Sequence, residues 1–90
     1  MKTVYKYKLE AKQVQGIKMP KYAKVLCVKA IKDDIYIWVK VFSDEVEEYR
    51  TFYIYGTGEG IGARSLKYVG TAFIYGGELV FHVFEALKEL

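Results

Sequence analysis

Residues 35–42 read Ile-Tyr-Ile-Trp-Val-Lys-Val-Phe, and this alternation limits the fold more than any other feature of the chain. Ile35, Ile37, Val39 and Val41 fall on one side of an extended backbone, and Tyr36, Trp38, Lys40 and Phe42 fall on the other. Such a two-residue period separates apolar from mixed residues only if the segment is a strand. The same period recurs along the chain. Thr3, Tyr5, Tyr7 and Leu9 oppose Val4, Lys6 and Lys8, a pattern suited to a sheet edge with its lysines outward. Arg50, Phe52 and Ile54 oppose Tyr49, Thr51, Tyr53 and Tyr55; Leu79, Phe81 and Val83 oppose Val80, His82 and Phe84. Residues 24–32 and 68–75 also read as strands, and no stretch carries a long helical period.

The punctuation between these segments agrees with short strands. Residues 10–15 are polar and ambiguous, and Ile17–Pro20 reads as a short extended piece, with Pro20 biasing Met19 away from helix. Asp33-Asp34 reads as a tight turn and residues 43–47 as an acidic connection. Gly76-Gly77 is a linker of the kind that favours primed hairpin turns. Residues 85–90 could form one helical turn or fray. About seven strands predict an all-β fold, either a small antiparallel sandwich or a partly open barrel. Ninety residues suit one domain, 1–90, whose core is feasible but thin.

The second faces of these strands are aromatic and amphipathic, whereas a wet face of an antiparallel sheet should be polar. A second sheet or another copy of the chain should therefore cover them, and a homo-oligomer is expected. Cys27 is the one cysteine, which excludes an internal disulfide and a cysteine-based metal site. Its neighbours Val25, Leu26 and Val28 suggest a buried small hydrophobe. His82 is the one histidine, too few for a usual zinc site, and catalysis would need a carboxylate or nucleophile held beside it. No enzyme, metal or cofactor is expected. The absence of an apolar h-region and of an 18-residue apolar run leads to the expectation of a cytoplasmic protein that does not engage a membrane.

Charge is unevenly distributed. Residues 1–32 carry nine Lys and one Glu, a balance of +8; residues 33–90 carry three Lys, two Arg and ten acids, a balance of −5. The basic third could steer anions or nucleic acid, or it could face the acidic part of the fold. The glycines are equally uneven, with Gly56, Gly58, Gly60 and Gly62 alternating through the loop that ends at Arg64. Glycine admits positive φ and close approach of a ligand, and consecutive amides can form an anion-binding nest. Gly58-x-Gly60-x-x-Ala63 matches a dinucleotide fingerprint in spelling only, because a strand follows it where that motif needs a helix. A mobile hairpin or a subunit contact is the plainer reading of the loop. As a ligand site it would use Gly56, Thr57, Gly58, Gly60, Gly62 and Arg64 toward phosphate. Tyr53, Tyr55 or Trp38 would stack on a base, with His82 as a further contact.

The order of several motifs resembles a family of small phage-encoded proteins often described only as domains of unknown function. The motifs are Met19-Pro20 opening a strand, Trp38, Arg50-x-Phe52, Gly56-Thr57-Gly58, Tyr68-Val69-Gly70-Thr71, Gly76-Gly77 and Leu79 to Glu85. The chain departs from that pattern in Gly60 and Gly62. By analogy of size, origin and loop character, the resemblance implies a phage protein in the host cytoplasm that sequesters an anionic nucleotide signal of bacterial immunity. A cyclic nucleotide or a cyclic ADP-ribose derivative would be the ligand. The alternative is an inhibitor or nucleic-acid-binding module acting through the lysine-rich first third.

Overall fold

A computed structural model describes residues 1–87. It contains β1 (Lys2–Leu9), β2 (Val14–Pro20), β3 (Lys24–Ile31), β4 (Asp34–Phe42), β5 (Glu47–Gly56), β6 (Leu66–Ile74) and β7 (Leu79–Ala86), with a single 3₁₀ turn at Tyr75–Gly77. Two antiparallel sheets form, ordered β1-β4-β3 and β2-β5-β7-β6. They stack as a sandwich and do not close into a barrel. The period-two pattern explains the stacking: Ile35, Ile37, Val39 and Val41 of β4 are all buried, facing Phe52, Ile54, Val83, Ala72 and Ile74 of the other sheet. Leu9, Met19, Ala23 and Val28 complete the core.

The sheets meet along the edges of β3 and β6. A Cβ built on Gly70 would lie 2.9 Å from Val28 Cβ and 3.4 Å from its backbone nitrogen, so only glycine fits this seam. Each of these edge strands carries a bulge close to the contact, between Val25 and Cys27 in β3 and between Tyr68 and Gly70 in β6. The extra residue of a bulge reverses the in–out parity of the rest of its strand. Lys24 and Lys29, five residues apart, therefore both face away from the core, opposite Lys40 and Tyr36 respectively. Tyr68 and Thr71 share the outer face of the other sheet in the same way, opposite Phe84 and His82.

Several sequence expectations change in detail. β2 starts at Val14, inside the polar and ambiguous stretch 10–15, because the Gln15 side-chain amide closes the preceding loop. Its oxygen accepts from Glu10 N–H and its nitrogen donates to Glu10 C=O, each at 2.8 Å. The β3–β4 turn is Lys32-Asp33, both with positive φ, and Asp34 already belongs to β4. Asp33 instead accepts a hydrogen bond from Tyr75 N–H at 2.9 Å. The β6–β7 turn spans residues 75–78, with Tyr75 as well as Gly76 and Gly77 at positive φ, and is therefore longer than a two-residue hairpin. Cys27 is half-buried on an outer face rather than in the core. Glu85 and Ala86 end β7 in extended conformation rather than opening a helical turn, and residues 88–90 lie outside the described residues.

Candidate functional site

The glycine loop is a crossover. β5 and β6 both run antiparallel to β7, so they are parallel to each other, and residues 57–65 must return the chain across β7 to start β6. Parallel crossovers usually use a dozen residues or more and often a helix. Nine residues reach at most about 30 Å, which leaves no length for a helix. The loop lies against the outer side of β5. Tyr55 hydroxyl donates to Ile61 C=O at 3.4 Å, Arg64 Nη1 donates to Tyr55 hydroxyl at 3.5 Å, and the Arg64 guanidinium sits 4.7 Å from the Tyr53 ring centroid. Tyr55 points away from the core, yet it is 1% exposed because its own loop covers it. Gly58 and Gly62 turn the path with φ of 93° and 81°.

This arrangement is a poor anion cradle. Gly56 N–H already donates to the Glu59 carboxylate at 2.6 Å, and Glu59 N–H returns a bond to Gly56 C=O at 3.1 Å. The groove beside the loop, about 290 Å³, is lined by Gly56, Thr57 and Phe81 together with the two carboxylates Glu59 and Glu78. Arg64 is the cation that the loop offers.

His82 also lies on this outer face. Its Nε2 shares a 2.8 Å hydrogen bond with Thr57 Oγ1, and its Nδ1 shares one of 3.1 Å with Thr71 Oγ1, which in turn bonds the Tyr68 hydroxyl. Both ring nitrogens are thus occupied by hydroxyls, and the histidine pins the start of the loop to β6. Tyr53 and Tyr55 stack with their ring planes 6° apart, and Phe84 bridges edge-on to Tyr55 and Tyr68. The structure therefore brings together Tyr53, Tyr55, Gly56, Thr57, Gly58, Gly60, Gly62, Arg64 and His82. Trp38 lies apart, on the outer face of the other sheet.

There it belongs to a surface that local sequence patterns do not assemble. With the inward residues of β4 in the core, the registers place Lys2, Lys6 and Lys8 of β1, Lys40 of β4, and Lys24 and Lys29 of β3 on one outward face. Tyr36, Trp38 and Phe42 run along its middle. In the paired stretch of this face Asp34 is the one acid, 3.5 Å from Lys8 Nζ. Lys6 Nζ hangs 4.9 Å from the Tyr36 ring, and the Tyr36 and Trp38 centroids are 6.2 Å apart. The signal was present in the lysine count. It was obscured because simple alternation sends Lys24 and Lys29 to opposite sides.

A cavity of about 590 Å³ opens at one end of the sandwich between Lys21, Tyr22, Tyr49, Arg50, Lys67 and Glu85. Its floor is an ion pair. Arg50 Nε and Nη2 donate to the two Glu85 oxygens, and Nη1 donates to Ala23 C=O at 2.9 Å. The bond to Glu85 holds the guanidinium pKa above its ordinary value, against the opposing effect of burial. Among the described residues no group of three or more His, Cys, Asp or Glu gathers to hold a metal ion, and no helix is long and apolar enough to cross a membrane.

Residues 1–89 match the model of a family described as "Domain of unknown function (DUF7352)". No curated protein matches the chain, and no solved structure does.

Proposed function

Because the chain belongs to the DUF7352 family of unknown function, we propose from its surfaces that it is a binding protein for nucleic acid, with the outer face of the three-stranded sheet as its interface. One observation carries the reading: Lys2, Lys6, Lys8, Lys24, Lys29 and Lys40 share a face with the lone acid Asp34 and surround Tyr36 and Trp38. A phosphate backbone supplies the complementary charge, and its displaced counterions make such binding salt-dependent. Each lysine that engages a phosphate of a single strand adds about −0.7 to the slope of log K against log salt. Lys6→Glu with Lys29→Glu, one on each flanking strand, should reduce oligonucleotide affinity by about tenfold or more and flatten that slope by at least about 1.4. Lys18→Glu on the other sheet should change either little. Equal affinity in the double variant and the parent, by fluorescence anisotropy, would exclude this face as the interface.

A small anionic nucleotide signal is the second reading. It is favoured by Arg64, exposed beside the stacked Tyr53 and Tyr55, and a phage origin and a sponge role belong to it. Arg64→Ala should weaken a cyclic nucleotide by roughly tenfold in calorimetric titration, the loss of one charge-assisted hydrogen bond; no binding by the parent would remove this reading. Self-association is part of the proposal as well, supported by Tyr49, Tyr68 and Phe73, which are 71%, 56% and 64% exposed on the outer face of the four-stranded sheet.

A further inference from the structure

We infer that the lysine face takes single-stranded rather than duplex nucleic acid, with bases stacked along β4 on Trp38 and Tyr36; this rests on the nucleic-acid reading above. The face is laid out in three parallel tracks. β4 runs down the centre with Tyr36, Trp38 and Phe42, β1 carries Lys2, Lys6 and Lys8 on one flank, and β3 carries Lys24 and Lys29 on the other. Neighbouring strands of a sheet are about 4.8 Å apart, so a lysine stem on either flank reaches a chain that lies over the centre. Lys6 stands directly opposite Trp38, and Lys8 and Lys29 flank Tyr36 from its two sides. Charges therefore bracket Tyr36 on both sides, while Trp38 has Lys6 on one side and Cys27 on the other.

The rings decide between one strand and two. In a duplex the bases are stacked at about 3.4 Å per step and turned inward, so a flat protein face meets only phosphate and sugar. The Tyr36 and Trp38 rings are 6.2 Å apart and tilted by 54° to each other. Bases can meet rings at nearly twice the duplex step only when they are unstacked and splayed, as they can be in a single strand. Every base has a π-face, so stacking of this kind is tolerant of sequence. The make-up of this face fits the same partner, because it is built from β1, β4 and β3 and carries no helix among the described residues to enter a groove. Trp38 and Tyr36 are each half-buried, held at their base and open above. Lys6, now over the Tyr36 ring, can exchange that contact for a phosphate when a base takes its place.

Trp38 is the one tryptophan in the chain, so its emission reports the contact directly. The experiment titrates the full chain with an oligothymidylate of about twelve nucleotides, within the span of known single-strand sites. The same sequence annealed as a duplex and a heparin fraction serve as comparators. Binding is read by anisotropy of a labelled probe and, separately, by Trp38 fluorescence. The expected result is quenching of Trp38 by oligothymidylate and not by heparin, tighter binding of the single strand than of the duplex at equal salt, and about tenfold weaker oligothymidylate binding by Trp38→Leu with its salt slope unchanged. Trp38→Phe, which keeps a ring for stacking and packing, should bind within about threefold of the parent. Binding of oligothymidylate and heparin alike, with Trp38 emission unmoved, would overturn the stacking inference and leave the lysine face as a general polyanion surface. Preference for the duplex would overturn it as well. Failure to bind any of the three at low salt would overturn the nucleic-acid reading itself.

Discussion

Arg50 and Glu85 show how much a single side chain can settle in this fold. Both sit on the core side of their strands near one end of the sandwich, with side chains 17% and 13% exposed. The guanidinium gives two donors to the carboxylate and one to Ala23 C=O, which ties the start of β5 to the end of β7 and to the turn before β3. Removing one member of a buried pair leaves the other charged and unpaired, which typically costs about 3–5 kcal/mol. This pair is part-buried and floors an open cavity, so Arg50→Ala should lower the urea stability by less than that, about 1–3 kcal/mol. Arg50→Met combined with Glu85→Leu should recover most of the loss, since apolar replacement of a whole buried pair is often neutral or better. If the single variant costs less than about 1 kcal/mol, solvent reaches the pair and the cleft floor is wet. The alternation of residues 50–54 already placed Arg50 beside Phe52 and Ile54. The identity of its partner was not legible, because it depends on a register set 35 residues later.

At the scale of elements, the strands were legible and their irregularities were not. Period-two alternation found the cores of β1, β4, β5 and β7 because apolar residues must share a side for two sheets to pack. The strands β3 and β6 are legible instead from the Asp33-Asp34 and Gly76-Gly77 turn signals beside them. A bulge breaks that logic within one residue. The extra residue at Leu26 brings Lys24 and Lys29 onto one face, and the one at Val69 brings Thr71 beside Tyr68. The path of the glycine loop was hidden for a related reason. Whether residues 57–65 close a hairpin or cross over β7 is decided by strand order, which no local pattern encodes, and Glu59 then occupies an amide that an anion would need. Gly70, by contrast, is an architectural requirement. A methyl group there meets Val28 backbone and side chain at the β3–β6 seam, where neither partner is a flexible chain end. Gly70→Ala should cost about 1–3 kcal/mol as an overpacked contact. Gly60→Ala, in open space and without a positive φ, should cost well under 1 kcal/mol. Equal denaturation midpoints for Gly70→Ala and the parent would show that the seam opens without penalty.

The whole molecule is a slab, 39 × 33 × 16 Å between Cα extremes, and its two broad sides differ in chemistry. The side made by β1, β4 and β3 carries lysines on every strand, so two copies meeting there would repel. The side made by β2, β5, β7 and β6 exposes Tyr49, Tyr68 and Phe73, and a surface of this breadth can supply the roughly 800 Å² per partner of a standard interface. Self-association should therefore join the four-stranded sheets and leave a lysine face outward on each copy. Light scattering should report a mass near twice 10.4 kDa at micromolar concentration. Tyr49→Glu with Phe73→Glu should return it to the monomer mass while oligonucleotide affinity per chain is kept, because neither residue lies on the lysine face. Salt separates the two surfaces further. Apolar association persists or strengthens in high sulfate, whereas phosphate contacts weaken steeply as salt rises. A parent that scatters as a monomer throughout, or a double variant that still assembles, would exclude the four-stranded side as the contact. An assembly that dissolves in salt together with oligonucleotide binding would place both activities on the lysine face.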